Sequence, residues 1–163
     1  MAMTLVSTVQ VPSGGAASIE FTGIAGTGKD LLLLYSLRNS DTGTTDSLLL
    51  NFNSSTANFS GRVLYGTGSS ALSTTASNDL IGGIVGNGAT SSTFSNGQLY
   101  ISNYASSANK SFSVDTVGEN NATATRHAII AGQWANSTAI TSIALSGGYN
   151  FLQHSTVSLY IVS

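Results

Sequence analysis

Apolar and polar positions alternate in short runs along most of this chain, and the clearest run is Gly97 to Asn121, GQLYISNYASSANKSFSVDTVGENN. Leu99 and Ile101 alternate with Tyr100 and Ser102; after a polar bend, Phe112 and Val114 alternate with Ser111, Ser113 and Asp115. That period of two belongs to strands with one buried face. Ala105 to Asn109, made mostly of small residues, is a connector of hairpin length. The stretch predicts a β-hairpin forming one wall of a sandwich.

The same reading extends in both directions. Leu5, Val9 and Val11 fall on one side of an opening strand, closed by a turn at Pro12 to Gly15. Ile19 and Phe21 mark a second strand. Asp30 to Arg38, DLLLLYSLR, is a continuous apolar run flanked by Gly-rich turns, read as a strand buried on both faces. Asn39 to Asp46 is a turn-rich loop, Leu48, Leu50 and Phe52 resume alternation, and Phe59 to Tyr65 is a further strand. Gly66 to Asn78 reads as an exposed loop. Gly82 and Gly83 interrupt the strand Leu80 to Val85 and predict a bulge or bend. Ala128 to Trp134, with Ile130 and Trp134 as core positions, is followed by a strand holding Ile140, Ile143 and Leu145. Gly147, Gly148 and Tyr149 read as a turn, and Val157, Leu159 and Ile161 close the chain. Nine or ten short strands without a helix predict an all-β antiparallel sandwich, with a jelly roll favoured and the strand order left open.

Composition narrows the picture. One domain is expected from 163 residues, and 41% hydrophobic residues in alternating runs argue for a packed core. Charged residues make up only 7%, against about 25% in an average soluble domain. Ser, Thr, Asn and Gly supply the polarity instead, which leaves little repulsion between copies and favours repeated assembly. Five Lys and Arg, at Lys29, Arg38, Arg62, Lys110 and Arg126, form no basic stripe, so nucleic-acid binding is not expected. MAMTLVSTVQV lacks the charge and apolar core of a signal peptide, and no apolar run approaches the roughly 20 residues of a membrane span. Without cysteine there are no disulfides or zinc-thiolate sites.

Candidate chemistry is sparse. GIAGTGK, Gly23 to Lys29, fits part of a P-loop, but Asp30 stands where a magnesium-ligating Ser or Thr is needed and a Leu run follows. A turn is expected there. His127 and His154 have no metal-ligand spacing, and Asp41 and Asp46 bracket a calcium-like DTGTTD better read as a turn. The acidic residues, Glu20 and Glu119 among them, single out no glycosidase pair, and no G-x-S-x-G elbow is present. Asn53, Asn58, Asn109, Asn121 and Asn136 begin N-x-S/T sequons, expected by chance in this composition. No metal, cofactor or catalytic residue is expected. Tyr149 and Phe151, beside their glycines, are the aromatic candidates for contact with a glycan or partner.

The order of SIEFTGI (Ser18 to Ile24), DLLLLYSLR, LYGTGSS (Leu64 to Ser70), LYISNYASSANKSFSVDTVGENNAT (Leu99 to Thr123) and ITSIALSGGYNFLQHSTVSLYIVS (Ile140 to Ser163) resembles small virion structural proteins of tailed phages, especially phages of aquatic bacteria and cyanobacteria. The resemblance covers nearly the whole chain. It implies a jelly-roll module without catalysis, made in the host cytoplasm and displayed on the particle. The expectation is a capsid decoration (cement) protein on the outer capsid surface, a homotrimer binding the major capsid protein. A compact chain without a coiled-coil stalk fits such a unit better than a whole fibre. Met1 to Val11, through Leu5, Val9 and Val11, is the expected anchoring segment. The alternative is a tail-fibre or tail-spike module binding a host surface glycan.

Overall fold

The computed structural model describes residues 2–76, 80–119 and 126–163, Leu80 by its backbone alone. Met1, Asn78 and the last residues of the predicted hairpin, 120 and 121, lie outside them. The described residues form twelve strands and no helix: β1 (Met3–Gln10), β2 (Ala16–Thr22), β3 (Asp30–Leu37), β4 (Thr45–Phe52), β5 (Phe59–Gly66), β6 (Ala71–Ala76), β7 (Leu80–Val85), β8 (Ser95–Ile101), β9 (Lys110–Gly118), β10 (Arg126–Trp134), β11 (Ser142–Phe151) and β12 (Thr156–Val162). One sheet has the order β1-β12-β3-β8-β9-β10-β5-β6, and the other the order β2-β11-β4-β7. All these ladders are antiparallel.

This order is a jelly roll with two inserted hairpin arms. Set aside β5, β6, β9 and β10, and the remaining eight strands pair first with last, second with seventh, third with sixth and fourth with fifth. The pairs β1·β12 and β3·β8 share one sheet while β2·β11 and β4·β7 share the other, which is one long folded ribbon rolled into a sandwich. The inserted strands extend the first sheet beyond β8 and double its width.

Alternation dictates the core. Leu31, Leu33, Tyr35 and Leu37 of β3, Leu99 and Ile101 of β8, and Val157 and Leu159 of β12 face Ile19, Phe21, Leu48, Leu50, Ile143 and Leu145 of the smaller sheet, all buried. Each such side chain contributes about 1.5–3 kcal/mol. At one end Phe52, Phe59, Phe112 and Trp134 pack with ring centroids 5.5–6.3 Å apart, and Trp134 Nε1 donates to the Ala57 carbonyl at 3.2 Å. Ile130 and Trp134 take their expected core places.

Two buried cations shape the loops. Arg38 donates from Nη1 to the carbonyls of Thr90 and Thr93 and from Nη2 to those of Asn87 and Ala89, at 2.8–3.2 Å, gathering the β7–β8 loop around itself. Lys110, fully buried, donates to the carbonyls of Ser106 and Ala108 in the β8–β9 loop and of Asn136. Burial lowers the pKa of both from their ordinary values.

The structure corrects four local expectations. Gly66 to Asn78 is not simply a loop: β6 lies within it, paired along β5, and it was illegible because ALSTT shows no buried face. The strand β3 is buried on one face only, since Leu34 is 39% exposed on the other. Gly147, Gly148 and Tyr149 do not turn the chain; β11 runs through them, with its pairing to β2 irregular between Ser146 and Phe151. The β8–β9 connector runs from residue 102 to 109, longer than Ala105 to Asn109. By contrast, the bulge expected at Gly82 and Gly83 is present, with Gly82 at φ 134° and a register shift in the facing strand between Ser47 and Leu49.

Two glycines lie under aromatic rings: an added Cβ at Gly132 would fall 2.1 Å from the Phe112 ring, and one at Gly97 2.3 Å from Tyr35. Gly132→Ala is expected to destabilise by about 1–3 kcal/mol through overpacking. Gly66→Ala, with nothing nearer than the Ser70 carbonyl at 4.0 Å, should stay within about 0.5 kcal/mol. Urea unfolding of the two variants compares them directly.

Candidate interaction surface

The larger sheet turns one face to the core and leaves the other uncovered. Three cross-strand rows define that outward face. The central row is Leu64, Ile129, Asp115, Gln98, Leu34, Ser158 and Thr8, running from β5 to β1. Beside it run Arg62, Ala131, Ser113, Tyr100, Leu32, Tyr160 and Leu5, and on the other side Gly66, His127, Val117, Asn96, Ser36, Thr156 and Gln10. Leu64 is 56% exposed and Ile129 53%, with Leu34 and Val117 also exposed. The outward face of the smaller sheet differs in character: Ser18, Glu20, Asn51, Ala144 and Ser146 lie there.

Polar side chains on the larger face are tied down locally. His127 Nε2 lies 2.9 Å from Asp115 Oδ1 across two adjacent strands. The Tyr100 hydroxyl donates to Asp30 Oδ2 at 2.5 Å, and that bond, with burial and the Asp30 charge, raises the Tyr100 pKa. Two open depressions, of about 400 and 260 Å³, run along β3, β8 and β9 between Leu32, Leu34, Gln98, Tyr100 and Asp115. They are shallow troughs between side chains of the sheet. No serine hydroxyl bonds to His127 among the described residues, and no group of three or more His, Asp or Glu there is placed to hold a metal ion.

The expected site residues are scattered. In β1, Leu5 is 52% exposed and Val9 half-buried, and Val11, just past the end of the strand, is buried. They do not share one side: a bulge between Leu5 and Ser7 sets Leu5 opposite Tyr160 on the outward face and Val9 opposite Val157 on the core face. Phe151 is fully buried in the core, so its ring touches no ligand; Tyr149 is 50% exposed at the end of the sandwich. His127 faces outward on its strand, and His154 lies in the turn before β12 with φ 76°. GIAGTGK forms bends and a turn with no helix, and the Lys29 amide donates to the Val162 carbonyl. Asp46 accepts from Asn39 Nδ2 at 2.6 Å and from the Ser47 and Gly148 amides, a loop tie.

Sequence reasoning missed the outward apolar positions Leu34, Leu64, Val117 and Ile129. A signal for them existed in Leu33-Leu34, Val63-Leu64 and Ile129-Ile130, neighbouring apolar pairs that alternation cannot place on one face.

No protein-family model matches the chain, and no curated protein matches it.

Because β1 supplies the first strand of the jelly roll, removing residues 2–11 takes away both the partner of β12 and the buried Val11. That truncation is expected to abolish cooperative unfolding, whereas Leu5→Asn, at an exposed position, should shift the melting temperature by no more than a few degrees. Circular dichroism melts of both variants check this.

Proposed function

We propose that this chain is a structural protein of a tailed-phage virion, a capsid decoration unit that seats on the major capsid protein. The observation that carries the reading is at the edge of the larger sheet, where Met3, Leu5 and Val6 are 49%, 52% and 43% exposed on a strand whose second side has no partner strand among the described residues. An open edge offers backbone donors and acceptors together with apolar side chains, and a capsid subunit can add to it by both. Repetition over a lattice converts a modest contact into firm attachment through avidity. The resemblance over nearly the whole chain and the 7% charged residues support the same reading.

The anchor is the exposed part of β1, while Val9 and Val11 hold the strand to its own fold. Purified protein mixed with capsids that lack it, imaged by cryo-electron microscopy, is expected to give density at regular lattice positions. Leu5→Asp combined with Val6→Asp should weaken that binding about tenfold or more while leaving the melt cooperative. Density confined to the tail, or none at all, overturns the decoration reading. Tail-only density would turn attention to Tyr149 and host glycans.

A further inference from the structure

The outward face of the larger sheet is eight strands wide and carries exposed apolar side chains on both sides of its middle, Ile129 on β10 and Leu34 on β3. We infer that it is the contact between two copies of this chain, packed face to face about a twofold axis that runs parallel to the strands between β8 and β9.

The position of that axis follows from the strand order. Four strands lie on each side of it, β9, β10, β5 and β6 on one and β8, β3, β12 and β1 on the other, so the rotated copy overlaps the whole sheet. Because the axis runs along the strands, each cross-strand row falls on itself reversed. Ile129 then meets Leu34 of the second copy, and Asp115 meets Gln98. In the neighbouring row Ala131 meets Leu32, Ser113 meets Tyr100, and Arg62 meets Tyr160. Near the axis Ile129 and Ala131 face leucines, the Asp115 carboxylate faces an amide donor, and the Arg62 cation faces a phenol ring, while Leu64, Val117 and Leu5 meet the polar side chains of Ser158, Asn96 and Thr75. No charge in these rows meets its like. Asp115 also brings its own partner, His127, which limits the cost of covering it.

Laid flat, eight strands about 4.8 Å apart and roughly seven residues long at about 3.3 Å each span roughly 900 Å², against the about 800 Å² that a stable pair needs from each partner, and the twist of the sheet brings the strands nearest the axis into closest contact. The contact is mixed in polarity, as non-obligate interfaces are, so dissociation in the micromolar range is expected. The smaller sheet's outward face, where Leu49 and Ala144 lie among Ser18, Glu20, Asn51 and Ser146, is only four strands wide. The inference concerns the free protein and does not depend on the capsid reading, whose anchor on β1 lies at the rim of this contact.

The chain contains no cysteine, which makes the geometry testable. Facing sheets pack about 10 Å apart, so Leu34 of one copy and Ile129 of the other come within reach of a bismaleimide spanning about 8–10 Å between sulfurs. Leu34 and its own symmetry mate lie three strand spacings apart laterally, about 17 Å in all. The twist between packed sheets, about 30°, moves these near-axis positions by only about 3–4 Å. Leu34→Cys and Ile129→Cys proteins, each checked for an unchanged melt, are mixed and cross-linked. The expected product is a cross-linked dimer in the mixture and almost none from either variant alone, alongside a monomer–dimer equilibrium of the unmodified protein in analytical ultracentrifugation. A monomer at all concentrations, a trimer, or equal cross-linking of single variants overturns the inference.

Discussion

The structure depends on a mismatch in width: eight strands in one sheet, four in the other. A jelly-roll ribbon by itself makes two sheets of equal width, each covering the other. Inserting β9–β10 and β5–β6 into the same sheet breaks that balance, and the inward side of the added strands needs other cover. Part of it comes from β7, which packs over β9 and β10, and part from the ring cluster of Phe52, Phe59, Phe112 and Trp134. Farther out cover runs short: Leu72 on β6, opposite Tyr65, is still 45% exposed. The added strands also carry Ile129 and Leu64 to the outward face, so the width that extends the core side creates the open apolar surface on the other.

The sandwich was legible because alternation is a local property of strands. The central pair β8 and β9 could be read from Leu99, Ile101, Phe112 and Val114, whose neighbours are polar on both sides. Strand order was not legible, since which ladder closes on which depends on contacts far apart in the chain; β1 pairs β12 at its very end. The strand β6 escaped because five of its six side chains are exposed and all but Leu72 are small or polar, so its pairing along β5 leaves little hydrophobic mark. The glycines of β11 misled for a related reason: Gly147 and Gly148 signal a turn in general, yet here they pass close to the Ser47 carbonyl and the Asp46 carboxylate, where a side chain would crowd.

The outward surface was half legible. Consecutive apolar residues in β3 show that both parities carry leucine, but the run could equally mean a strand covered on both sides. Deciding needs to know that no strand among the described residues packs over Leu32 and Leu34. The bulge in β1 was likewise invisible, and it decides that Leu5 and Val9 point to opposite faces. One extra residue in a strand reverses every later side chain, so evenly spaced valines and leucines cannot be assigned to one face until the register is known.

Charge placement ties these observations together. Of the five Lys and Arg, Arg38 and Lys110 are buried, each holding backbone carbonyls of a loop. Arg126 lies 4.5 Å from the Tyr65 ring centroid. The cations of this chain are therefore spent largely on its own architecture, and the surface keeps even less positive charge than the composition indicates. Surface charge ordinarily keeps copies of a protein apart through repulsion. Here Ser, Thr, Asn and Gln must maintain hydration, and they oppose close approach of another surface far less strongly than fixed charges do. A broad sheet face with exposed leucine and isoleucine, set in such a surface, is poised to associate. Its partner is then chosen by the match of rows across the contact rather than by long-range electrostatic steering.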